Sequence, residues 1–108
     1  WATCCGPCRM AMKETEPVKK EYEGKVVVFL YLAAENSPKG TWEQMIPDIK
    51  GEHYRVTAEQ WEYWGKKFGI NGVPSYMVVA KDGTPVHFQV GFMGVDKMKE
   101  MIDKELAK

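Results

Sequence analysis

Long apolar runs, an excess of charge of either sign and widely spaced cysteines are all missing from this 108-residue sequence. No apolar run approaches the roughly 20 residues that a helix needs to span a bilayer. Fifteen basic and fifteen acidic residues cancel, so long-range attraction favours neither nucleic acid nor an anionic membrane as a partner. The three cysteines, Cys4, Cys5 and Cys8, are too close together to tie distant segments of a small secreted scaffold. The sequence therefore predicts no membrane span and no nucleic-acid partner, and it predicts that the cysteines carry local chemistry.

The composition fits one globular domain, and the order of apolar and turn-forming residues predicts an α/β fold. With 44% hydrophobic residues, the chain can bury a single core. The apolar run "KVVVFLYLA" has no alternation, which is typical of a strand buried on both faces in a parallel sheet covered by helices. The predicted elements, in chain order, are a helix over 8–23 with a kink at Pro17, a strand over 26–33, a helix over 39–46, a short strand "EHYRV", a helix ending at Gly69, a hairpin over 75–80 and 86–90, and a helix over 95–107.

Cap and turn signals bound several of these elements. The pair Ser37-Pro38 predicts a helix cap with proline in the first turn, and Pro47 predicts the end of that short helix. Thr57 and Gln60 have the spacing of a capping box at the start of the next helix. The pair Asp82-Gly83 predicts the turn of the hairpin.

Cys5 and Cys8 bracket a Gly-Pro pair in the opening stretch "WATCCGPCRM", where a helix is predicted to begin. The thiolate is the nucleophilic form of cysteine, and the free amides and positive dipole at a helix N-terminus stabilise it. We therefore expect Cys5 to attack a partner's disulfide, and Cys8, one helical turn further on, to resolve the mixed disulfide. Gly6 lets a partner's backbone come close, and Pro7 starts the helix where no amide hydrogen is needed.

The sequence gives less support to a metal site, to a special role for the methionines or to a reactive role for Cys4. A structural zinc site usually takes four ligands, and this chain offers one such cysteine pair plus His53 and His87, which lack the spacing of metal ligands. We therefore expect no metal and no cofactor. The seven methionines are interpreted as core residues, since several fall at packing intervals on helices. Cys4 is interpreted as a small apolar residue beside the site, with an auxiliary thiol that exchanges with Cys5 as the alternative.

The sequence resembles the thioredoxin superfamily over most of its length. "WATCCGPC" is similar to that family's Trp-Ala-x-x-Cys-Gly-Pro-Cys site, "FGINGVPSYMVVAKDG" to its cis-proline loop and following hairpin, and "VGFMGVDKMKEMI" to its final glycine and helix. An inserted segment from Glu35 to about Val56 makes the chain resemble the membrane-anchored or periplasmic bacterial oxidoreductases of the TlpA and ResA type. The resemblance implies a thioredoxin-like fold with a central mixed sheet flanked by helices.

The same resemblance assigns roles to residues far from the cysteines in the sequence. It implies a cis peptide bond before Pro74, which would pack beside Cys5 and Cys8. The adjacent backbone of Val73 would then bind an extended segment of the partner as a short added strand. The full set of predicted substrate-binding residues is Trp1, Gly6, Pro7, Val73, Pro74 and Gly91.

We therefore predict a thiol-disulfide oxidoreductase with Cys5 and Cys8 as catalytic residues. The Gly-Pro pair resembles the reducing branch of the family, which implies disulfide-containing proteins as substrates and an upstream thiol as the electron donor. A disulfide isomerase and a thioredoxin-like binding module with idle cysteines are the alternatives. The resemblance also implies a periplasmic or otherwise extracytoplasmic location in a bacterium, with the cytoplasm as the alternative.

The family's central strand, which comes immediately before the Trp-Ala pair, has no counterpart in this sequence, because the sequence begins at Trp1. The family's proton-transferring acid, two positions before that tryptophan, is missing with it, and neither Glu35 nor any other acid has a motif that nominates it as a replacement. A sheet without its middle strand leaves backbone groups unpaired, at roughly 1 to 3 kcal/mol for each buried and unsatisfied group. We expect residues 1–108 to form one thioredoxin-like domain that is N-terminally truncated, with an upstream strand and an export signal before Trp1.

Overall fold

The computed structural model describes all residues from 1 to 108. Four α-helices, one short 3-10 helix and four strands alternate along the chain. In order they are α1 (Gly6–Glu21), β1 (Leu30–Ala33), α2 (Lys39–Met45), the 3-10 helix (Ile46–Asp48), β2 (Glu52–Arg55), α3 (Ala58–Phe68), β3 (Ser75–Val79), β4 (Pro85–Val90) and α4 (Val95–Leu106). This is the predicted order of helices and strands, and the fold is mixed α/β. No helix is both long enough and apolar enough to cross a membrane.

The strands form two separate pairs, and the strands predicted at 26–33 and 75–80 do not pair with each other. β1 lies parallel to β2, with Leu30 opposite Glu52 and Ala33 opposite Arg55. β3 and β4 form the predicted antiparallel hairpin, with an irregularity in register between Val78 and Val79. No ladder of hydrogen bonds joins β1 to β3. Residues 1–108 therefore form two small two-stranded sheets rather than one larger sheet.

The first strand is shorter and more exposed than its sequence predicts. It begins at Leu30 rather than at Val26, and Val26 and Val28 are 86% and 72% exposed. Pairing starts only where β2 arrives, at the hydrogen bond from the amide of Glu52 to the carbonyl oxygen of Phe29 (2.8 Å). The expectation of a strand buried on both faces is wrong for this stretch, because apolar residues form a strand only where a neighbour supplies backbone partners.

The helix after β1 also starts and ends differently from the prediction. Its N-cap is Pro38, with no side-chain hydrogen bond at the cap. The hydroxyl of Ser37 instead accepts a hydrogen bond from the amide of Thr3 (3.1 Å). Pro47 does not end the helical stretch, because it lies inside the 3-10 helix that continues α2. Proline fits there, since the first turn of a helix needs no amide donor at that position.

Local signals in the second half of the chain are confirmed. The hydroxyl of Thr57 accepts from the amide of Gln60, and the Gln60 side chain accepts from the amide of Thr57, so the capping box of α3 is complete. Gly69 ends α3 in the left-handed conformation, at a φ of 71°. Glycine adopts this conformation without the steric cost that a Cβ would bring.

The most buried part of the molecule lies directly beneath the start of α1. Trp1, Cys8, Met12 and Ala33 form one buried cluster. The segment between β1 and β2 covers this cluster with four partly buried apolar side chains, which are Trp42, Met45, Ile46 and Ile49. At the other end of α1, the hydroxyl of Tyr22 donates to Asp103 on α4 (2.8 Å). The inserted segment therefore forms part of the core under the cysteines.

Candidate active site

Cys5 and Cys8 form a disulfide at the N-terminus of α1, with their Cα atoms 5.2 Å apart. Cys5 is the N-cap of the helix, and its sulfur accepts a hydrogen bond from the amide of Cys8 (3.1 Å). Pro7 occupies the first turn, where a missing amide hydrogen costs nothing. The sulfur of Cys5 thus lies where the free amides and dipole of a helix favour negative charge, which is the setting that stabilises a thiolate.

The two bonded cysteines differ sharply in exposure. Cys8 is only 1% exposed and belongs to the buried cluster, whereas Cys5 is half-buried. Cys4, the third cysteine, is exposed and carries a free thiol. A molecule approaching from solvent therefore reaches the sulfur of Cys5 before that of Cys8.

The residues before the disulfide are fixed by backbone hydrogen bonds. The backbone nitrogen of Trp1 donates to the carbonyl oxygen of Leu32 on β1 (2.9 Å), and the amide of Cys5 donates to the carbonyl oxygen of Ala2 (3.0 Å). The second bond closes a tight turn over residues 2–5. The Trp1 side chain is 8% exposed and packs in the cluster with Cys8.

The loop before β3 also contacts this cluster. The peptide bond between Val73 and Pro74 is cis, Val73 packs against the buried cluster that contains Cys8, and Pro74 is buried. The carbonyl oxygen of Pro74 accepts from the amide of Gly91 (2.7 Å), just after β4. The structure thus brings Val73 to the cluster that contains Cys8, and it joins Gly91 to Pro74.

Backbone groups at this loop are left free. The amide and carbonyl of Val73 make no hydrogen bond within the chain, although the side chain is half-buried. Gly91 has a φ of 92°, a conformation that glycine adopts far more readily than other residues. An unpaired backbone amide and carbonyl are groups to which an extended peptide can bind.

The two histidines lie elsewhere. His53 on β2 is within hydrogen-bonding distance of the carbonyl oxygen of Ile49 (2.6 Å) and stacks on Tyr31, with ring centroids 5.0 Å apart. His87 on β4 contacts the side chain of Gln89 (2.9 Å). No group of three or more His, Cys, Asp or Glu side chains is placed to hold a metal ion.

A buried lysine ties α1 to the end of the inserted segment. The ammonium group of Lys19 donates to Glu16 and to the carbonyl oxygen of Lys50, both at 2.6 Å, and it lies 4.5 Å from the ring centroid of Tyr31. Burial lowers the pKa of Lys19, against the opposing effect of Glu16. Burial likewise raises the pKa of Tyr31. Sequence reasoning missed this contact, since nothing near Lys19 in the sequence separates it from the solvated lysines of the same helix.

A disulfide between two cysteines of one helical turn, with one sulfur capping the helix and the other buried, defines a class of protein. The class is that of the thiol-disulfide oxidoreductases, in which such a pair alternates between dithiol and disulfide. The sequence comparisons agree, because residues 1–106 match the model of the thioredoxin-like domain family. The chain belongs to this family, as its resemblance to the thioredoxin superfamily predicted.

Curated relatives include thioredoxins from several strains of Staphylococcus aureus. The thioredoxin of strain Mu50 is 31% identical over 106 residues, which cover 98% of this chain and 77% of that protein. The thioredoxin of strain N315 matches to the same extent. The chain therefore aligns with thioredoxins over nearly its whole length.

Two solved structures share the fold at lower identity. The solution structure of a thioredoxin candidate from Neisseria meningitidis has a TM-score of 0.79 and 20% identity, covering all of this chain and 71% of that one. The crystal structure of a protein assigned as the thiol:disulfide interchange protein DsbE from Chlorobium tepidum has a TM-score of 0.75 and 20% identity, covering 98% and 75%. These likenesses support the thioredoxin-like fold predicted from the sequence.

Proposed function

We propose that the chain reduces disulfides of partner proteins through Cys5 and Cys8. The single observation that carries this proposal is the asymmetry of the pair, since Cys5 is half-buried at the helix N-terminus while Cys8 is 1% exposed beneath it. Attack from outside requires the accessible sulfur, and release requires a second sulfur within reach of the first. Cys5 is therefore the nucleophile, and Cys8 is the resolving residue.

The proposed reaction moves two electrons from the dithiol to the partner. The thiolate of Cys5 attacks one sulfur of the partner's disulfide, so that a Cys5–partner bond forms, the partner's own bond breaks, and the leaving thiolate takes up a proton. Cys8 then loses its proton and attacks Cys5, which forms the Cys5–Cys8 disulfide and releases the second partner sulfur as a thiol. An upstream thiol donor restores the dithiol by the same exchange in reverse. The two cysteines hold both electrons, so this step needs no cofactor.

The substrate-binding surface is proposed to surround Cys5. The free amide and carbonyl of Val73 would pair with an extended segment of the partner, as in the addition of one strand to a sheet edge. Gly6 adds no side chain next to Cys5, and the space around it is open, because a Cβ placed there would meet nothing within 4 Å. Trp1, Pro7, Pro74 and Gly91 complete the proposed surface.

We place the protein among the TlpA- and ResA-type oxidoreductases, in an extracytoplasmic compartment of a bacterium. The support is the inserted segment between β1 and β2, which carries α2 and the 3-10 helix, together with the shared fold of the DsbE-assigned structure. Fractionation of cells that express the full-length protein tests the location. Recovery with a cytoplasmic marker would contradict it.

The reaction is tested by reduction of insulin with dithiothreitol as the thiol donor. The unmodified protein should accelerate turnover, Cys5→Ser should abolish it, and Cys8→Ser should accumulate mixed disulfides that are visible on a non-reducing gel. Cys4→Ser is the matched control, because it removes the exposed neighbouring thiol and should leave turnover intact.

Two results would contradict the assigned roles. If Cys5→Ser and Cys8→Ser accumulated mixed disulfides equally, the assigned order of attack would be wrong. Wild-type protein that binds partners but shows no cysteine-dependent turnover would instead indicate a binding module with idle cysteines.

A further inference from the structure

The loop that follows β1 is held between the disulfide turn on one side and β2 on the other. Ser37 is completely buried, and its hydroxyl oxygen accepts the amide of Thr3, itself 7% exposed, at 3.1 Å. From β2, the guanidinium of Arg55 donates to the carbonyl oxygens of Ser37 (3.1 Å) and Glu35 (3.2 Å). A chain of contacts therefore runs from Arg55 through Ser37 to the residues just before the cysteines.

Thr3 occupies a central position of the turn that carries Cys5. The turn is closed by the bond from the amide of Cys5 to the carbonyl oxygen of Ala2 (3.0 Å), which leaves the amide of Thr3 without a partner inside the turn. Ser37 supplies that partner from 34 residues away. A buried amide without an acceptor is costly, so the hydroxyl fixes the orientation of the turn as well as its place.

We propose that Ser37 is a positioning residue for Cys5 and that Arg55 acts through Ser37. This inference rests on the proposed function, in which Cys5 is the attacking sulfur. Ser37 sets the turn from which the chain enters α1, and so sets where the sulfur of Cys5 lies relative to the amides of the first helical turn.

The hydroxyl matters more in the dithiol than in the disulfide. In the disulfide, the covalent bond to Cys8 holds Cys5 against α1. After reduction that restraint is gone, and the turn depends on the bond between Cys5 and Ala2 and on the anchor at Thr3. Loss of the Ser37 hydroxyl should therefore disfavour the dithiol and weaken the stabilisation of the Cys5 thiolate.

The test is the equilibrium between the protein and glutathione, in which the protein disulfide and two reduced glutathiones give the protein dithiol and one oxidised glutathione. For Ser37→Ala we expect this equilibrium to move toward the protein disulfide by about two- to tenfold, the range that one lost hydrogen bond supplies. The midpoint of the alkylation rate of Cys5 against pH should rise by about 0.3 to 1 unit for the same reason. A residue that contributes only to stability would move neither quantity.

Thr57→Ala is the matched control. It also removes a hydroxyl that accepts a backbone amide at 3.1 Å, but it does so at the start of α3, away from the cysteines. This variant should lose stability while its glutathione equilibrium and its alkylation profile stay at the wild-type values.

Arg55→Met provides the second variant. It removes the guanidinium but keeps an apolar stem, and it should shift the equilibrium in the same direction by a smaller factor. Because Arg55 is proposed to act through Ser37, the double variant should shift the equilibrium no further than Ser37→Ala alone. If Ser37→Ala does not fold, the glutathione equilibrium of Arg55→Met tests the positioning role by itself.

The outcomes separate this inference from the proposed function. Wild-type protein with no cysteine-dependent insulin turnover contradicts the function itself. Active wild-type protein, together with folded Ser37→Ala and Arg55→Met variants whose equilibrium and alkylation profile match the wild type, overturns only the positioning role.

Discussion

Gly51, which immediately precedes β2, is the glycine that the fold should be least able to replace. Its φ is +140°, and a Cβ built on it would lie 2.5 Å from the carbonyl oxygen of Phe29 and 2.9 Å from the ring of Tyr31. Neither neighbour moves freely. The Phe29 oxygen accepts from the amide of Glu52 (2.8 Å), and the Tyr31 ring lies between Lys19 and the buried cluster under the disulfide.

The expected cost of Gly51→Ala has two parts. A non-glycine residue in this region of φ costs of order 1 to 3 kcal/mol, and forcing an extra carbon into a packed site costs about 1 to 3 kcal/mol more. The sum, roughly 2 to 6 kcal/mol, is a large share of the 5 to 15 kcal/mol that typically separates folded from unfolded protein. Urea unfolding, followed by tryptophan fluorescence, measures the loss of the free energy of unfolding.

Substitutions at other glycines distinguish the conformational cost from the packing cost. Gly83 has a φ of +90°, but a Cβ added to it would meet no atom within 4 Å, so Gly83→Ala should show only the conformational cost. Gly40 lies in α2 with open space around it, so Gly40→Ala should stabilise the protein by roughly 0.5 to 1 kcal/mol. If Gly51→Ala costs no more than Gly83→Ala, the argument from contact with Phe29 and Tyr31 is wrong.

Two further predictions concern thiol access and alkaline stability. Iodoacetamide should label only Cys4 in the oxidised protein, then Cys5 faster than Cys8 after reduction, because Cys4 is exposed and Cys8 is 1% exposed; peptide mass spectrometry reads this order, and preferential labelling of Cys8 would contradict it. Burial, with a smaller effect of Asp103, raises the pKa of Tyr22 from 10.0 to about 12. The folded state therefore favours the neutral phenol, and its contribution to stability is complete below pH 10 and is lost as the pH rises toward 12. Tyr22→Phe should cost about 0.5 to 1.5 kcal/mol at pH 7 through the lost bond to Asp103 and should flatten the fall in unfolding free energy between pH 10 and 12; an unchanged slope in that range would count against this assignment.

Features that depend on a few neighbouring residues could be predicted from the sequence. The capping box of α3 needs only Thr57 and Gln60, and the end of α3 needs only a glycine that can adopt a positive φ. The pairing of Cys5 with Cys8 is of the same kind, since one helical turn brings the two sulfurs together. In each case the interacting atoms are fixed by local geometry alone.

Features that depend on distant partners could not be predicted in this way. The hydroxyl of Ser37 fits the pattern of a helix cap, yet its partner is the amide of Thr3, 34 residues away. The sequence predicts a solvated lysine at Lys19, but its ammonium group donates to the carbonyl oxygen of Lys50, 31 residues along the chain. The sequence predicts that a strand starts at Val26. This residue is exposed because β2 pairs with the chain only from Leu30 onward.

The disulfide closes a very short loop, since its two cysteines are separated by only three positions. In the chain-entropy model, a cross-link of four residues removes about 2 kcal/mol of unfolded-state entropy at 25 °C, against about 4.7 kcal/mol for a loop of 100 residues. This disulfide therefore restrains the unfolded chain less than half as much as a disulfide across a loop of 100 residues would. Opening and closing it should change the free energy of unfolding only modestly, which allows the pair to pass repeatedly between its two states while the surrounding polypeptide stays folded.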